Sequence, residues 1–271
     1  MHPISKDTRL CMSLSARPGN FGTRFQNHLY QAMGLDFIYK AFTTTDLPGA
    51  IGGIRALGIR GCAISMPFKE ACIPMLDALD PSAAAIGSVN TIVNDDGVLR
   101  GFNTDYIAID RLIDRHALSV DSTLLLRGSG GMGKAVASAF RDRGFENGTI
   151  VSRNEASGRI LAESCGWDWR ADADGLKANL LVNVTPLGMA GGVDADTLAF
   201  PEAVIRSAKT VFDVVAAPVE TPLICAAKIL GVPAITGDAV MVLQGVEQFV
   251  LYTGARPTDA QLQAASEAAL R

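Results

Sequence analysis

Lys69 stands in "CAISMPFKEAC", residues 62–72, directly after a Pro-Phe pair that closes a short apolar run. Proline suits the first helical position, so the stretch predicts a helix beginning at Pro67 with Lys69 in its first turn. There the ammonium faces the positive end of the helix dipole, at a cost of about 0.3–1 kcal/mol on an exposed site. Two readings fit: an ordinary solvated lysine, or an amine tuned for proton transfer near neutral pH. Asp105 falls in the first turn of the helical stretch "NTDYIAIDRLIDRH", where an acid stabilises the helix by itself. It becomes an acid–base partner only if it meets Lys69 in space. Ser13 and Ser15 lie two apart at the end of the first apolar run, so an extended strand points both hydroxyls to one face. Together they can hold a carboxylate, or they simply close a strand-to-loop turn. Ser65 closes the third apolar run in the same way.

A second chemistry is written in "GSGGMG", residues 128–133 (Gly128, Ser129, Gly130, Gly131, Met132, Gly133). Gly128, Gly130 and Gly133 fit G-x-G-x-x-G between an aliphatic strand at 124–126 and a helix from about Gly131, the context of a dinucleotide site. The glycines allow a tight turn and close approach of a pyrophosphate to the unpaired N–H groups of the helix start. The next strand ends Ser152-Arg153-Asn154 and carries no acid to accept from a ribose 2′-OH. Arg153 can instead pair with a 2′-phosphate and stack on adenine, with Ser152 and Asn154 as neutral donors, so the expected cofactor is NADP. Arg127 and Glu155 flank this pocket and their side chains are not placed by the sequence.

These residues need rigid elements at the right ends. The 271 residues fit two modest domains, and a hydrophobic content of 48% supports full cores. Strand-length apolar runs alternate with helix-period segments, predicting an α/β protein with largely parallel sheets. In the first third the strands are "RLCMSL", "DFIYKAF" and "RGCAIS", separated by helical "RFQNHLYQAM" and "LPGAIGGIRAL". "SVNTIVNDDGVLRGF" predicts a hairpin turning at Asp-Asp-Gly. The helix after it bridges to a second α/β unit with strands in "STLLLR", "GTIVSRN", "NLLVNVTP" and "TVFDVVA", followed by "GVPAITG". The helical stretch "DAVMVLQGVEQFVLYTG" and a last helix from about Asp259 return to the first domain, giving residues 1–104 with 238–271, and 105–237.

Composition narrows the partners. With 28 acidic against 24 basic residues and a net charge of −4, no basic tract follows a nucleic-acid backbone. No apolar run spans a bilayer and the start lacks a signal-peptide core, which predicts a cytoplasmic protein. The five scattered cysteines predict reduced, mostly buried thiols, and His2, His28 and His116 share no metal-ligand spacing, so no metal is expected.

Taken in order along nearly the whole chain, "SLS" at 13–15, "SMPFKE" at 65–70, "GSVNT" at 87–91, "GFNTD" at 101–105 and "GSGG" at 128–131 resemble the shikimate dehydrogenase superfamily. "NVTPLGM" at 183–189, "DVVAAPVETPL" at 213–223 and "QGVEQF" at 244–249 complete the set. The resemblance implies an α/β substrate domain completed by C-terminal helices and a Rossmann-type NADP domain. It implies reversible NADP-linked reduction of 3-dehydroshikimate to shikimate, a step towards aromatic amino acids, by a monomer or homodimer. Lys69 and Asp105 would be the catalytic pair, and Ser13 and Ser15 would hold the substrate carboxylate. Ser65, Asn90, Gln244 and, a helical turn on, Gln248 would bind the substrate, with Thr185 and Val214 beside the cofactor.

The chain departs from the family pattern where Ala63 replaces an asparagine before the "PFK" motif and Ala216 a tyrosine near the nicotinamide. "ARPGNFGTRF" also intervenes before Gln26-Asn27, and Ser-Arg-Asn replaces Asn-Arg-Thr. Lost hydrogen bonds to a polyol penalise binding and turnover, which points to the divergent shikimate dehydrogenase-like subgroup and a related cyclic hydroxy acid as substrate. A methylenetetrahydrofolate dehydrogenase-like enzyme and a non-catalytic NADP-binding regulator are the alternatives.

Overall fold

A computed structural model describes residues 4–270. The chain divides into two compact units, one formed by residues up to Thr104 together with those from Val242 onward, the other by Asp105–Met241. The second division falls inside a helix.

The first unit begins β1 (Arg9–Leu14), α1 (Phe21–Ala32), β2 (Phe37–Phe42), α2 (Leu47–Ala56) and β3 (Gly61–Ile64). Short pieces follow: α3 (Phe68–Ala71), a 3₁₀ turn (Ile73–Met75), β4 (Ala78–Leu79) and α4 (Pro81–Ala84). The hairpin β5 (Thr91–Asp95) and β6 (Val98–Phe102) closes this part. The sheet order is β2-β1-β3-β5-β6-β4, parallel across β2, β1 and β3, then antiparallel at β3–β5 and β5–β6. The antiparallel part is the hairpin expected at Asp-Asp-Gly, whose turn at Asp96 and Gly97 has positive φ of 51° and 92°.

β1 alternates between two cores. Cys11 packs with Phe25, Leu29, Tyr30, Phe249 and Tyr252, while Met12 and Leu14 face Leu47, Ile51 and Ile54 of α2. The last two helices, α10 (Gly237–Thr253), which carries the division, and α11 (Asp259–Leu270), supply part of the first of these cores. Buried Gln26 of α1 donates from Nε2 to the Gly245 carbonyl at 2.9 Å, tying α1 to α10. Asn27 does similar work on the other side: its Nδ2 donates to Tyr39 O and its Oδ1 accepts from Tyr39 N–H, at 2.8 and 2.9 Å. Gly61 admits the buried Tyr252 ring; a Cβ there would stand 2.2 Å from Cδ1. Gly61→Ala is thus expected to destabilise the fold by about 1–3 kcal/mol, read as a lower urea midpoint at constant m-value. An unchanged midpoint would mean that the ring swings aside freely.

The second unit opens with α5 (Thr104–Arg115) and continues β7 (Leu124–Arg127), α6 (Gly131–Asp142), β8 (Gly148–Val151), α7 (Glu155–Cys165), β9 (Asp168–Arg170) and β10 (Leu180–Asn183). It ends α8 (Glu202–Ser207), β11 (Thr210–Asp213), α9 (Pro222–Ile229) and β12 (Ala234–Ile235). Its sheet, β12-β11-β10-β7-β8-β9, is parallel throughout. The strand order reverses between β7 and β10, the switch point where a doubly wound sheet opens a crevice. Leu125, Val151, Leu181 and Val211 form one face of the sheet against Phe200, Val204, Leu223 and Ala227.

All five cysteines are free, four buried and Cys225 exposed. His2 lies outside the described residues. No helix among the described residues is long and apolar enough to cross a membrane.

Candidate active site

The first unit gathers polar groups where β1 and β3 end together. Ser65 N–H donates to Leu14 O at 3.0 Å and Ala16 N–H to Met66 O at 3.1 Å, so the two following loops run side by side. Ser15 lies just past β1 and is buried; Ser65 is exposed. Ser13 is half-buried, and burial pushes the nearby Tyr39 phenol well above its ordinary range. Ala63 is level with Ser13 on one side and Thr91 on the other, so its methyl occupies the rung between two hydroxyl-bearing residues.

Pro67 is not the first helical residue. The Met66–Pro67 bond is cis, and Phe68 N–H donates to Ser65 O at 2.9 Å, so the proline closes a type VI turn and caps α3. α3 is four residues long, which leaves only a few aligned peptide dipoles to act on Lys69. The helix dipole therefore acts on Lys69 more weakly than that of a long helix would. The backbone at half-buried Lys69 is held through its carbonyl, which accepts from Val89 N–H at 2.8 Å.

That bond belongs to a hub. Segment 88–91 also receives Asn103, whose Nδ2 donates to Ser88 O at 2.9 Å, and Thr104, whose N–H donates to Asn90 Oδ1 at 2.8 Å. Asn90 Oδ1 accepts further from the Thr91 and Thr104 hydroxyls, and Asn90 O accepts from Ile64 N–H at 2.7 Å. The "PFK" turn, the end of β3 and the "NTD" start of α5 are thus anchored on four residues, and Asp105 follows Thr104 directly. Three donors fix the orientation of the Asn90 amide. Its buried Nδ2 finds no partner among the described residues, a donor left over for something else. On α10, Gln248 Nε2 donates to Gln244 Oε1 at 3.3 Å, so both amides share one helix face.

In the second unit the glycines have the conformations a phosphate cradle requires. Gly128 has φ of 123°, and a Cβ on Gly133 would stand 2.7 Å from Gly128 O, so neither position takes a larger residue without strain. Gly130 caps α6 with no side-chain bond to the helix's first N–H groups, and a Cβ on Gly130 or Gly131 would meet nothing within 4 Å. Open space beside uncapped donors fits a dinucleotide's pyrophosphate. A cleft of about 370 Å³ is lined by Gly128, Ser129, Ser152, Arg153, Asn154 and Thr185, with Arg127 and Asp194 on its wall. Gly130, Gly131, Met132, Gly133 and Val214 stand outside that lining.

Individual roles sharpen here. Ser152 donates to Asn154 O at 3.1 Å and accepts from Trp169 Nε1, while Asn154 Oδ1 caps α7 at Ser157 N–H. Both therefore shape the turn that presents exposed Arg153. Ser129 and Ser157 hydroxyls bond each other at 2.8 Å. Thr185 is held by Asn183 Oδ1, which accepts from its N–H at 3.1 Å and its hydroxyl at 2.6 Å, and Val214 N–H donates to Asn183 O. Asn183 in turn donates to Asp213 at 3.0 Å, and Asp213 also accepts from the Thr221 hydroxyl and Val215 N–H. Sequence reading missed this buried network. Its signal was a single polar residue closing each of two aliphatic strands.

A two-unit α/β chain with a Rossmann-type second unit and a polar strand-end edge in the first defines the class of fold. Residues 21–92 match the family model described as shikimate dehydrogenase substrate binding domain. The chain is 57% identical over 256 residues to a shikimate dehydrogenase-like protein of Haemophilus influenzae, covering 94% of each. Among solved structures, a shikimate 5-dehydrogenase-like protein superposes with a TM-score of 0.98 at 55% identity, over 99% of this chain and 100% of that one. The Thermus thermophilus shikimate 5-dehydrogenase in complex with NADP(H) and shikimate gives 0.85 at 29% identity, over 96% and 99%. The chain belongs to the shikimate dehydrogenase family, whose members are oxidoreductases acting on CH–OH groups.

Proposed function

We propose that this protein is an NADP-dependent oxidoreductase that interconverts a cyclic hydroxy acid related to shikimate and its 3-dehydro form. In this reading the first unit takes the substrate, the second takes the cofactor, and the enzyme works in the cytoplasm as a monomer or homodimer. The observation that carries the reading is the hub at 88–91, which anchors the segments bearing Lys69 and Asp105 and leaves the Asn90 amide with an unused buried donor. NADP, when bound, supplies or takes the hydride at nicotinamide C4.

The chain's residues do the rest. Lys69 and Asp105 give and take the proton at the reacting oxygen. Asn90 Nδ2, Ser65, Gln244 and Gln248 orient the ring hydroxyls, and Ser15 with Ser13 receives the carboxylate. Gly128–Gly133 hold the pyrophosphate, Arg153 the 2′-phosphate, and Thr185 and Val214 border the cofactor. Ala63 offers no hydrogen bond beside Ser13, so a substrate hydroxyl placed there loses a partner, and discrimination among polyols shifts accordingly.

The test is a screen of shikimate, quinate and related hydroxy acids against NADP and NAD, followed by nicotinamide absorbance. NADP-linked turnover of at least one cyclic hydroxy acid is expected, with shikimate turned over more slowly than by a dedicated biosynthetic enzyme. Shikimate turnover at the dedicated rate would refute the altered specificity, and no turnover of any hydroxy acid would refute the enzyme assignment.

A further inference from the structure

Two guanidinium groups share the cofactor cleft, and neither is ion-paired among the described residues. Arg127 closes β7 level with Val151 of β8, two residues before Arg153, and both arginines line the same 370 Å³ space. Neither makes a hydrogen bond or ion pair among the described residues. The nearest support for Arg127 is the Phe200 ring, whose centroid lies 6.0 Å from the guanidinium carbon. Burial first, and then the charge of Arg153, hold Arg127 below the ordinary arginine range; Asp172 and Asp174 oppose this without cancelling it. Asp194 also lines the cleft and pairs with neither arginine.

A half-buried cation facing a like charge weakens the folded chain unless an anion arrives to offset it. The site lies at the C-terminal ends of β7 and β8, where the adenosine half of a dinucleotide rests in a doubly wound sheet. Resting on the NADP reading above, we propose that Arg127 and Arg153 form a two-arginine clamp for a phosphate monoester, the 2′-phosphate of NADP, with Arg127 as a further specificity-determining residue. A phosphate monoester presents three acceptor oxygens and close to two negative charges, enough for two planar donor forks, and its binding relieves the repulsion between them.

The test compares adenosine 2′,5′-bisphosphate with 5′-AMP by titration calorimetry. The unaltered protein should prefer the bisphosphate. Arg127→Met, which keeps an apolar stem against Phe200, should weaken the bisphosphate by about 10–100-fold while the 5′-AMP affinity, which also reports an intact cleft, stays within about twofold. Arg127→Lys should fall between, because a point charge cannot reproduce the fork. If Arg153→Met removes the preference and Arg127→Met leaves it intact, or weakens both ligands equally, the clamp is wrong while the NADP reading stands. If the unaltered protein binds both ligands equally, the NADP reading fails and takes the clamp with it.

Discussion

Lys69→Ala is expected to lower turnover by about 10²–10⁴-fold, the usual contribution of a positioned acid–base group, with NADP affinity unchanged. The fold should tolerate the change, since the bond that holds this segment comes from the Lys69 carbonyl, which accepts from Val89 N–H whatever the side chain. Lys69→Arg should fail to rescue activity, because a guanidinium does not give up its proton in a working pH range. Combining Lys69→Ala with Asp105→Asn should cost little more than either alone, as groups that act as a unit are not additive. Steady-state rates with NADP and the best hydroxy acid, alongside cofactor binding by fluorescence, check all three. Unchanged turnover in Lys69→Ala would remove the lysine from the mechanism.

Asp213→Ala should be the most damaging single change away from that site. The Asp213 side chain is fully buried and receives the Thr221 hydroxyl at 2.7 Å, Asn183 Nδ2 at 3.0 Å and Val215 N–H at 3.1 Å. Truncation strands three buried donors, each worth about 1–3 kcal/mol when left unmade, so a combined loss of about 3 kcal/mol or more follows even without additivity. That corresponds to a Tm lower by roughly 10 °C for a chain of this size. Cofactor affinity should fall as well, because Asn183 loses the partner that orients it towards Thr185. A Tm within about 2 °C of the unaltered protein would show that the network carries little of the stability.

The pH dependence runs opposite to that of a surface carboxylate. Burial raises the Asp213 carboxyl above its ordinary range, against the lowering effect of its three donors. A raised folded-state pKa means the folded chain takes up the proton first. This group's contribution is therefore complete below the unfolded pKa and lost as pH rises through the folded one. Asp77 and Asp114 behave in the reverse sense: hydrogen bonds from Arg55 and Arg143 lower them, so what they contribute is lost as pH falls through their folded values. As pH falls, the contribution lost is thus that of such arginine-bound surface carboxylates and not that of Asp213.

Strong periodicity made much of the fold readable. "RLCMSL" coincides with β1, and the Asp-Asp-Gly turn, the helix beginning at Leu47 and the helix from Asp259 stand where the sequence put them. Between Ser65 and Ser88 the reading gave one helix start, and the structure has four short elements there. Long-range bonds hold them, such as Asp77 N–H to Leu99 O and Asp80 N–H to Gly101 O, and no local pattern announces such ties. Pro67 was misplaced for a related reason, since sequence cannot tell a helix-opening proline from the cis proline of a tight turn. In the site, Lys69, Asn90 and the glycine cradle were visible as motifs. The Gln26 bond to Gly245 spans 219 positions and was invisible, as were Arg127's lack of a partner and the commitment of Ser152 to its own turn.

β2 borders the first sheet, and a bordering strand normally offers its free N–H and C=O groups to any other extended chain. Asn27 occupies both backbone groups of Tyr39 with its side-chain amide, in effect serving as a one-residue false neighbour, and exposed Lys40 follows at once. The rim is thereby blocked near its middle to the edge-to-edge growth that seeds aggregates. The same amide that seats α1 against the sheet also protects the crowded solution state of the protein.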